Sequence, residues 1–374
     1  MRAQALIGRF APLYLPLAWI ACSSATPSSP KGDPDSGTAS TPAPSGGNDA
    51  APPPPSSDDA GAPAPTPTPT PTPVPTPTPT PTPTPGPVGW KSVVGNFGFF
   101  GQTFDDHSWG GRSIAPVTLY SVACADNTHG WASGQGGYVA HTEDGGQTWS
   151  LQSSNLASDL RAINFGWSTH GVVAGDGGAL AVTQDGGSHW TAIAPLTNAT
   201  LRGAAVAPYV NVMLVVGDGG TVLRSADSGL TWARLSIAGA GDLHGIASDA
   251  WAGTVLAVDS LGAIWSSGDQ GLTFAREGTA GVPLDAVSTT QAGTRALAVG
   301  RGGAVLLRAA AGTGWTRVTT GNGADLHAAL VTDGGGRLYA AGESGTLLTS
   351  TDLGAHWSVQ PLGTTAALYG LQDL

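Results

Sequence analysis

The chain has 374 residues, which fall by composition into an apolar start (1–22), a segment rich in Pro, Thr, Ser and Ala (23–88), and a segment with the aromatic and aliphatic residues of a packed domain (89–374). The last segment is long enough to bury one large core. The whole chain has a formal net charge of −11, which excludes long-range attraction to nucleic acid or anionic lipid, so neither is expected as a partner of the folded part.

Residues 1–22 have the plan of an export signal, with a basic start, an apolar stretch and a small residue before Cys22. The apolar stretch is too short for a spanning helix and is broken by Pro12 and Pro16. Its last four residues, Trp-Ile-Ala-Cys, resemble a bacterial lipobox, in which the cysteine is lipidated. Trp stands where lipoboxes usually have Leu, so simple cleavage of the signal is the alternative. We expect an outer-membrane or cell-surface lipoprotein that touches the membrane through its anchor alone, or otherwise a periplasmic or secreted protein.

Residues 23–88 contain little that could be buried. Within them, residues 65–87 are a nearly perfect Pro-Thr alternation, which removes backbone donors and fixes φ at every second position. Such a segment favours polyproline II, at about 3.1 Å per residue. We therefore predict a disordered, semi-rigid stalk, and composition leaves O-glycosylation of its threonines open.

From residue 89 the sequence repeats, and its clearest element is Ser/Thr-x-Asp-x-Gly-x-x-Trp, an Asp box. The Asp and aromatic residues of the five intact copies are Asp144 and Trp149, Asp185 and Trp190, Asp227 and Trp232, Asp269 and Phe274, and Asp352 and Trp357. A decayed copy has Ala310 in the Asp position. In such a turn the carboxylate accepts backbone N–H groups, the glycine supplies positive φ, and the aromatic packs between sheets. Each box offers one carboxylate, so we predict structural turns without a metal, cofactor or catalytic role.

Two further elements repeat in phase with the box. A Gly-x-x-Gly turn lies about ten residues upstream, with 259–262 as a variant, and a Leu-x-small strand follows each box. Each unit thus holds four short strands, as one propeller blade does. The sequence has six box positions but seven Leu-x-small strands, and the seventh, at the C-terminal end, is followed by no further strands. Residues 89–109 resemble the three outer strands of a blade, so they are expected to complete the seventh blade with that last strand. The fold predicted is all-β: a seven-bladed β-propeller of four-stranded antiparallel blades, closed by N- and C-terminal strands. Cys124 falls in an inner strand and is expected to be a buried, unreactive thiol.

This strand order puts the Gly-x-x-Gly turns and the Asp boxes on opposite rims. The middle residue of Leu-x-small then forms a ring at one mouth of the channel, which is polar, aromatic and mostly cationic. We name this set the mouth ring: Tyr120, Arg161, Arg202, His244, Asp285, His327 and Tyr369. One interpretation is that these side chains are polar only because a water-filled channel needs solvated residues. A sharper hypothesis is a site for a carboxylate-bearing peptide or an acidic glycan, bound by arginine forks and tyrosine faces.

With its inner-strand pattern, its Gly-x-x-Gly turn and its Asp boxes, the chain resembles the photosystem II stability/assembly factor-like propellers over residues 89–374. Members of that family carry an arginine-rich patch on the propeller, of which Arg161 with Arg202 look like a reduced version. The resemblance implies the fold, while the export signal and stalk argue against a photosystem role.

Three functions are compatible with these sequence features. The leading one is a non-catalytic, monomeric propeller at the cell envelope that binds a protein, peptide or glycan as an interaction or assembly scaffold. Asp boxes also occur in sialidases and some glycoside hydrolases, so an enzyme of that kind is the alternative. Among the ring positions, however, Asp285 is the one acid, and two arginines fall short of a sialidase triad. A structural or adhesion component of the envelope is the third.

Overall fold

The structure is a computed structural model that describes residues 91–105, 107–334 and 336–373. The predicted export signal with Cys22, the predicted stalk and residues 89–90 lie outside these ranges. The described residues form seven four-stranded antiparallel sheets, arranged as the blades of a propeller. Among their helical segments, none is long and apolar enough to span a bilayer.

Each blade has an inner strand A, two middle strands B and C, and an outer strand D. The A strands are β4 (Leu119–Cys124), β8 (Leu160–Phe165), β12 (Leu201–Ala207), β16 (Leu243–Ser248), β20 (Leu284–Thr289), β24 (Leu326–Val331) and β28 (Leu368–Gln372). The B strands are β1 (Lys91–Gly95), β5 (Gly130–Gly134), β9 (Gly171–Gly175), β13 (Val212–Gly217), β17 (Val255–Asp259), β21 (Ala296–Gly300) and β25 (Leu338–Gly342). The C strands are β2 (Phe99–Thr103), β6 (Tyr138–Thr142), β10 (Leu180–Thr183), β14 (Thr221–Ser225), β18 (Ala263–Ser267), β22 (Ala304–Arg308) and β26 (Leu347–Ser350). The D strands are β3 (Gly110–Ser113), β7 (Ser150–Ser153), β11 (Thr191–Ala192), β15 (Ala233–Ser236), β19 (Ala275–Thr279), β23 (Thr316–Val318) and β27 (Ser358–Val359).

The ring is closed by strands from the two ends of the folded segment. In the order β28-β1-β2-β3, β28 supplies the inner strand and pairs with β1 through Val93 opposite Leu371. This pairing leaves no open edge between the first and last blades. The prediction of seven blades with a shared seventh is confirmed.

The B–C turns explain why the sequence places glycine where it does. Six of them are one-turn 3₁₀ segments: Asn96–Gly98, Gln135–Gly137, Asp176–Gly178, Asp218–Gly220, Arg301–Gly303 and Glu343–Gly345. A Cβ added at Gly134 would lie 2.3 Å from the carbonyl oxygen of Thr118, which no side chain could tolerate. In the β16–β19 blade Asp259 takes this position. Its buried carboxylate accepts the N–H groups of Leu261 and Ala263 at 3.0 and 2.8 Å and shapes a different turn.

The core lies between blades rather than inside one sheet, since each sheet buries both faces against its neighbours. Phe100 of β2 meets Trp149 of the next blade edge to face, with ring centroids 5.2 Å apart. Trp131 of β5 stacks on Phe165 of β8 at 3.6 Å. Cys124 is buried at the end of β4, and burial raises the pKa of its thiol to about 12, so it stays protonated. Its predicted place in an inner strand is confirmed.

The blade of β20–β23 has lost its Asp box and holds its outer edge differently. Arg308 occupies the Ser/Thr position of the motif, is 3% exposed, and donates to Glu277 of the preceding blade at 3.2 Å. It also donates to the carbonyl of Gly293 and lies over the ring of Trp315, 5.7 Å from its centroid. A buried ion pair between blades thus stands where the other blades have a turn-capping carboxylate.

Candidate functional site

Every member of the mouth ring lies on a β-bulge. In each A strand the register against strand B shifts at the residue after the leucine, so this residue has no direct partner. A bulge re-aims the side chain of the extra residue. All seven ring residues line the same channel: Tyr120, Arg161, Arg202, His244, Asp285, His327 and Tyr369.

The small residue that follows each bulge lets neighbouring inner strands approach. A Cβ on Gly203 would lie 3.1 Å from the backbone N of Ile246 on the next blade, and one on Gly245 would lie 3.0 Å from the Cα of Ala286. Each position of the Leu-x-small pattern therefore has its own structural role. The leucine is core, the middle residue is the bulge, and the small residue is the contact between blades.

One half of the ring is aromatic, and its rings contact each other at tilted angles. The guanidinium carbon of Arg161 lies 4.4 Å from the ring centroid of Tyr120. The ring of Tyr120 lies 5.9 Å from that of Tyr369, which in turn lies 5.4 Å from the imidazole of His327. The Tyr120 hydroxyl donates to Asp159 at 3.2 Å. These contacts join four ring members from blades that are consecutive around the channel.

The other half is centred on Asp285. Its two oxygens accept from the Nδ1 atoms of His244 and His327 at 3.1 and 2.8 Å, and Arg301 lies 3.5 Å away. Burial acts to raise the pKa of this carboxyl, but the two histidine hydrogen bonds and the charge of Arg301 outweigh it and hold the pKa well below its usual range. Asp285 is therefore an ionised group that three neighbouring side chains share.

His327 links the two halves. Its Nδ1 faces Asp285 and its Nε2 faces Glu343 at 3.0 Å, while its ring packs on Tyr369. Burial opposes protonation of this imidazole, yet the hydrogen bonds to the two carboxylates raise its pKa above the ordinary value. His327 thus favours the charged form, in which both ring nitrogens donate.

The cationic character expected for the ring is corrected by residues that the sequence analysis missed. Arg161 donates through Nε and Nη2 to Asp176 at 2.9 and 2.8 Å, and Arg202 donates through Nε to Asp218 at 2.6 Å. Both aspartates follow the first glycine of a Gly-x-x-Gly turn, the same turn position that holds Arg301. Charged residues at this shared turn position could have indicated, from the sequence alone, partners for the ring. The two arginines of the mouth are therefore ion-paired rather than free cations.

The Asp boxes lie on the opposite rim, which we call the box face, while the rim of the Gly-x-x-Gly turns is the turn face. In all five intact boxes the Ser or Thr hydroxyl donates to the Asp, and so does the backbone N–H four residues after the Asp. The boxes also meet the A–B loops, since the N–H of Gly145 donates to the carbonyl of Thr128 at 3.0 Å. The box carboxylates are thus used within their own turns, apart from the mouth ring.

The inner strands enclose a channel of about 520 Å³ that connects the two faces. At the turn face it is lined by the mouth ring, and at the box face by A–B loop residues such as Trp167, Tyr209 and Asp333. Among the described residues, no cluster of three or more His, Cys, Asp or Glu side chains has a geometry that could hold a metal ion. The channel mouth is a concave site on which polar and charged side chains from all seven blades converge, so it is the candidate binding site.

Comparisons with known proteins agree with this architecture. Residues 105–369 match the sequence model of a family described as photosynthesis system II assembly factor YCF48. None of the curated proteins matches the chain.

Three solved structures are similar in fold. A structure described as YCF48 bound to D1 peptide is 23% identical, with a TM-score of 0.53 over 65% of this chain and 81% of that one. YCF48 from Cyanidioschyzon merolae is 18% identical, with a TM-score of 0.55 over 74% and 90%. An ancestral GH74 enzyme is 14% identical, with a TM-score of 0.52 over 66% of this chain and 39% of its own. At these identities the likeness concerns the fold alone.

Proposed function

The chain belongs to the photosynthesis system II assembly factor YCF48 family, and from that premise we propose that it is a non-catalytic binding propeller whose mouth ring holds a segment of a partner protein. The observation that carries the proposal is the connected network at the mouth. A cation–π contact, two tilted ring–ring contacts and a hydrogen bond join Arg161, Tyr120, Tyr369, His327 and Asp285 across blades. Side chains fixed in this way are preorganised, which lowers the entropy lost on binding.

A peptide is favoured among the candidate ligands by the chemistry of the ring and by one relative. A solved YCF48 structure is described as bound to D1 peptide, which makes a propeller of this kind a peptide binder in at least one case. In the present chain two tyrosine faces, two arginines and a histidine suit the mixed polar and apolar surface of an extended segment. Tyr and Arg are also the residues that most often dominate binding energy in interfaces.

The arginines retain a role for a ligand carboxylate, in a narrower form than the sequence suggested. Arg161 uses Nε and Nη2 on Asp176, and Arg202 uses the same two nitrogens on Asp218. Among the described residues neither Nη1 has a hydrogen-bond partner within range. A ligand carboxylate would therefore be bound by one N–H edge from each arginine rather than by a whole fork.

Hydrolysis of a sugar is disfavoured by the same geometry. A glycosidase needs one carboxyl kept protonated near neutral pH beside a second, ionised one. At this mouth the pKa values of Asp176, Asp285 and Asp325 are all held below the usual range by hydrogen bonds from arginine, histidine or backbone donors. We expect no turnover in a screen with fluorogenic glycosides and sialosides, and turnover abolished by Asp285→Ala would overturn the proposal.

The direct test selects peptides that bind and then removes the arginines. A displayed random-peptide library is panned on the full chain, and enriched peptides are measured by calorimetry against wild type and the Arg161→Ala/Arg202→Ala variant. We expect at least a tenfold loss of affinity, since each buried charged hydrogen bond contributes about 1.5–3 kcal/mol. Arg234→Ala, on the exposed outer strand β15, is the matched control and should bind as wild type does. Peptides that bind the double variant undiminished would refute the site.

We also propose that the chain is exported and lipidated at Cys22, on the strength of the lipobox-like sequence. The test is metabolic labelling of the full chain with an alkyne fatty acid in a bacterial host, followed by membrane fractionation. Label and membrane association that are both lost in Cys22→Ser support the anchor. A wild-type chain that is cleaved yet takes up no label would replace it with ordinary signal cleavage.

A further inference from the structure

The box face carries a group of exposed aromatic side chains at the other end of the channel. Trp167, Tyr209 and Trp251 lie on the A–B loops of three successive blades and are 46%, 52% and 60% exposed. Trp167 meets Tyr209 edge to face with ring centroids 5.2 Å apart, and Tyr209 stacks on Trp251 at 4.6 Å. We call these three residues the aromatic platform. Single exposed aromatics are ordinary, but a contiguous group beside a cavity marks an interaction site.

Backbone hydrogen bonds between loops hold the platform in place. The N–H of Tyr209 donates to the carbonyl of Ala250 at 3.3 Å, and that of Ala250 donates to the carbonyl of Gln291 at 3.1 Å. The side chain of Asp249 accepts the N–H of Trp251 at 2.9 Å and fixes the turn that carries it. These hydrogen bonds position Tyr209 and Trp251, and Trp167 packs edge to face on Tyr209, so a ligand would meet a surface that is already formed.

The loops that carry the platform have no lysine or arginine to repel a cationic ligand. These loops are residues 166–170, 208–211 and 249–254. Across the same channel mouth the exposed Asp333 accepts the N–H of Gln291 at 3.0 Å through Oδ1. None of the described residues that line the channel at this end is basic, whereas Arg161 and Arg202 line the turn-face end. The channel lining at this mouth is thus aromatic on one side and carries the carboxylate of Asp333 on the other, while Arg295 and Arg337, which lie on the same loops as Gln291 and Asp333, are not among the lining residues.

We propose that the aromatic platform is a second binding site, for a peptide segment that carries lysine or arginine side chains. The cationic groups lie over the faces of Trp251 and Trp167 and are drawn by the carboxylate of Asp333, while the aliphatic stems pack on the rings. The site is independent of the mouth ring, because its residues lie at the opposite end of the channel. The propeller can thereby bind a cationic segment at its box face and a carboxylate-bearing segment at its turn face.

The test measures binding of a fluorescein-labelled peptide of alternating lysine and glycine to the full chain by anisotropy, beside a glutamine–glycine peptide of equal length. We expect saturable one-to-one binding of the lysine peptide. Trp251→Ala and Trp167→Ala should each weaken it by about fivefold, as an exposed cation–π contact would, and Trp251→Phe should weaken it less. Asp333→Asn keeps the acceptor for Gln291 and removes the charge, and should flatten the salt dependence between low and about 0.15 M salt.

Matched controls separate this site from general attraction to an acidic protein. Leu230→Ala removes an apolar side chain, 70% exposed, from a box turn of the same face, and Glu143→Gln removes an exposed charge there. Both should bind as wild type does, and thermal unfolding verifies that every variant is folded. The proposal is overturned if the lysine peptide does not bind at low salt, or if the variant lacking all three aromatics binds it equally. It is also overturned if the glutamine peptide or a neutral oligosaccharide binds as tightly.

Discussion

The mouth ring has one residue in each of the seven blades and the intact Asp boxes lie in five of them, and both features include histidine–aspartate pairs, yet they do different things. In the box, His189 faces Asp185 of its own turn at 2.7 Å and is 88% exposed. At the mouth, His327 faces Asp285 of the preceding blade at 2.8 Å and is 12% exposed. The first pair finishes a local turn, and the second connects blades around a cavity. A position that keeps its residue type in most blades therefore builds the blade, whereas one that varies at a fixed place can build a site.

The largest effect on stability is expected in the β20–β23 blade, which has lost its Asp box. Arg308 is buried in place of the box hydroxyl and depends on Glu277, so Glu277→Ala leaves a buried charge without its partner. We expect a loss of about 3–4 kcal/mol in the free energy of unfolding, measured in urea. Glu143→Ala, which removes an exposed carboxylate from an intact box turn, should change the unfolding free energy little. Equal urea midpoints for the two variants would mean that the Arg308 pair does not replace the box.

The mouth should be the next most sensitive. Asp285→Ala removes the shared acceptor of His244 and His327, and we expect about 2 kcal/mol of destabilisation, because hydrogen bonds to a charged group contribute about 1.5–3 kcal/mol. The same substitution should abolish peptide binding at the ring. Asp285→Asn keeps one acceptor oxygen and should lose less stability than the alanine variant. A variant that keeps full affinity for ring-binding peptides would remove Asp285 from the site.

An intact box should matter for stability alone. Asp144→Ala removes the acceptor of the Thr142 hydroxyl and of the Thr148 N–H and hydroxyl, and about 1 kcal/mol should be lost, as for other turn and helix caps. Affinity for peptides at the ring should be unchanged, since Asp144 lies on the other face. Calorimetry on the same peptides decides this. A loss of binding would contradict the separation of the two faces.

The fold could be predicted because repetition multiplies a weak signal. One Asp box or one Gly-x-x-Gly turn predicts a turn, but their fixed spacing predicts a blade, and the unequal counts of boxes and inner strands predict the shared blade of β28 and β1. The A strands begin at the leucines that were singled out, from Leu119 to Leu368. The mouth ring followed from the same periodicity, since its residues keep one place in every repeat.

The ion pairs and the aromatic platform could not be predicted, because they depend on contacts between positions whose residues differ from blade to blade. The ion pairs of Arg161 with Asp176 and of Arg202 with Asp218 require the bulge to aim each guanidinium at its own turn, and a bulge is a matter of register. The aromatic platform was missed for a related reason. Trp167 and Trp251 stand at different distances from the ends of their inner strands, so the repeat does not align them.

The smallest effect expected separates the two histidine–aspartate pairs by pH. The pKa of His327 is raised in the folded protein, so the stabilisation it provides is complete below its unfolded value of about 6.5 and is lost as pH rises through the folded value. His327→Gln, which keeps hydrogen-bonding groups without the charge, should lower the thermal midpoint by about 1–3 °C at pH 5.5, and the difference should shrink toward pH 8.5. His189→Gln on a box turn is the matched substitution. If the two variants shift the midpoint by the same amount at every pH, the charge of His327 does not hold the ring together, and the contrast between box and mouth rests on their contacts alone.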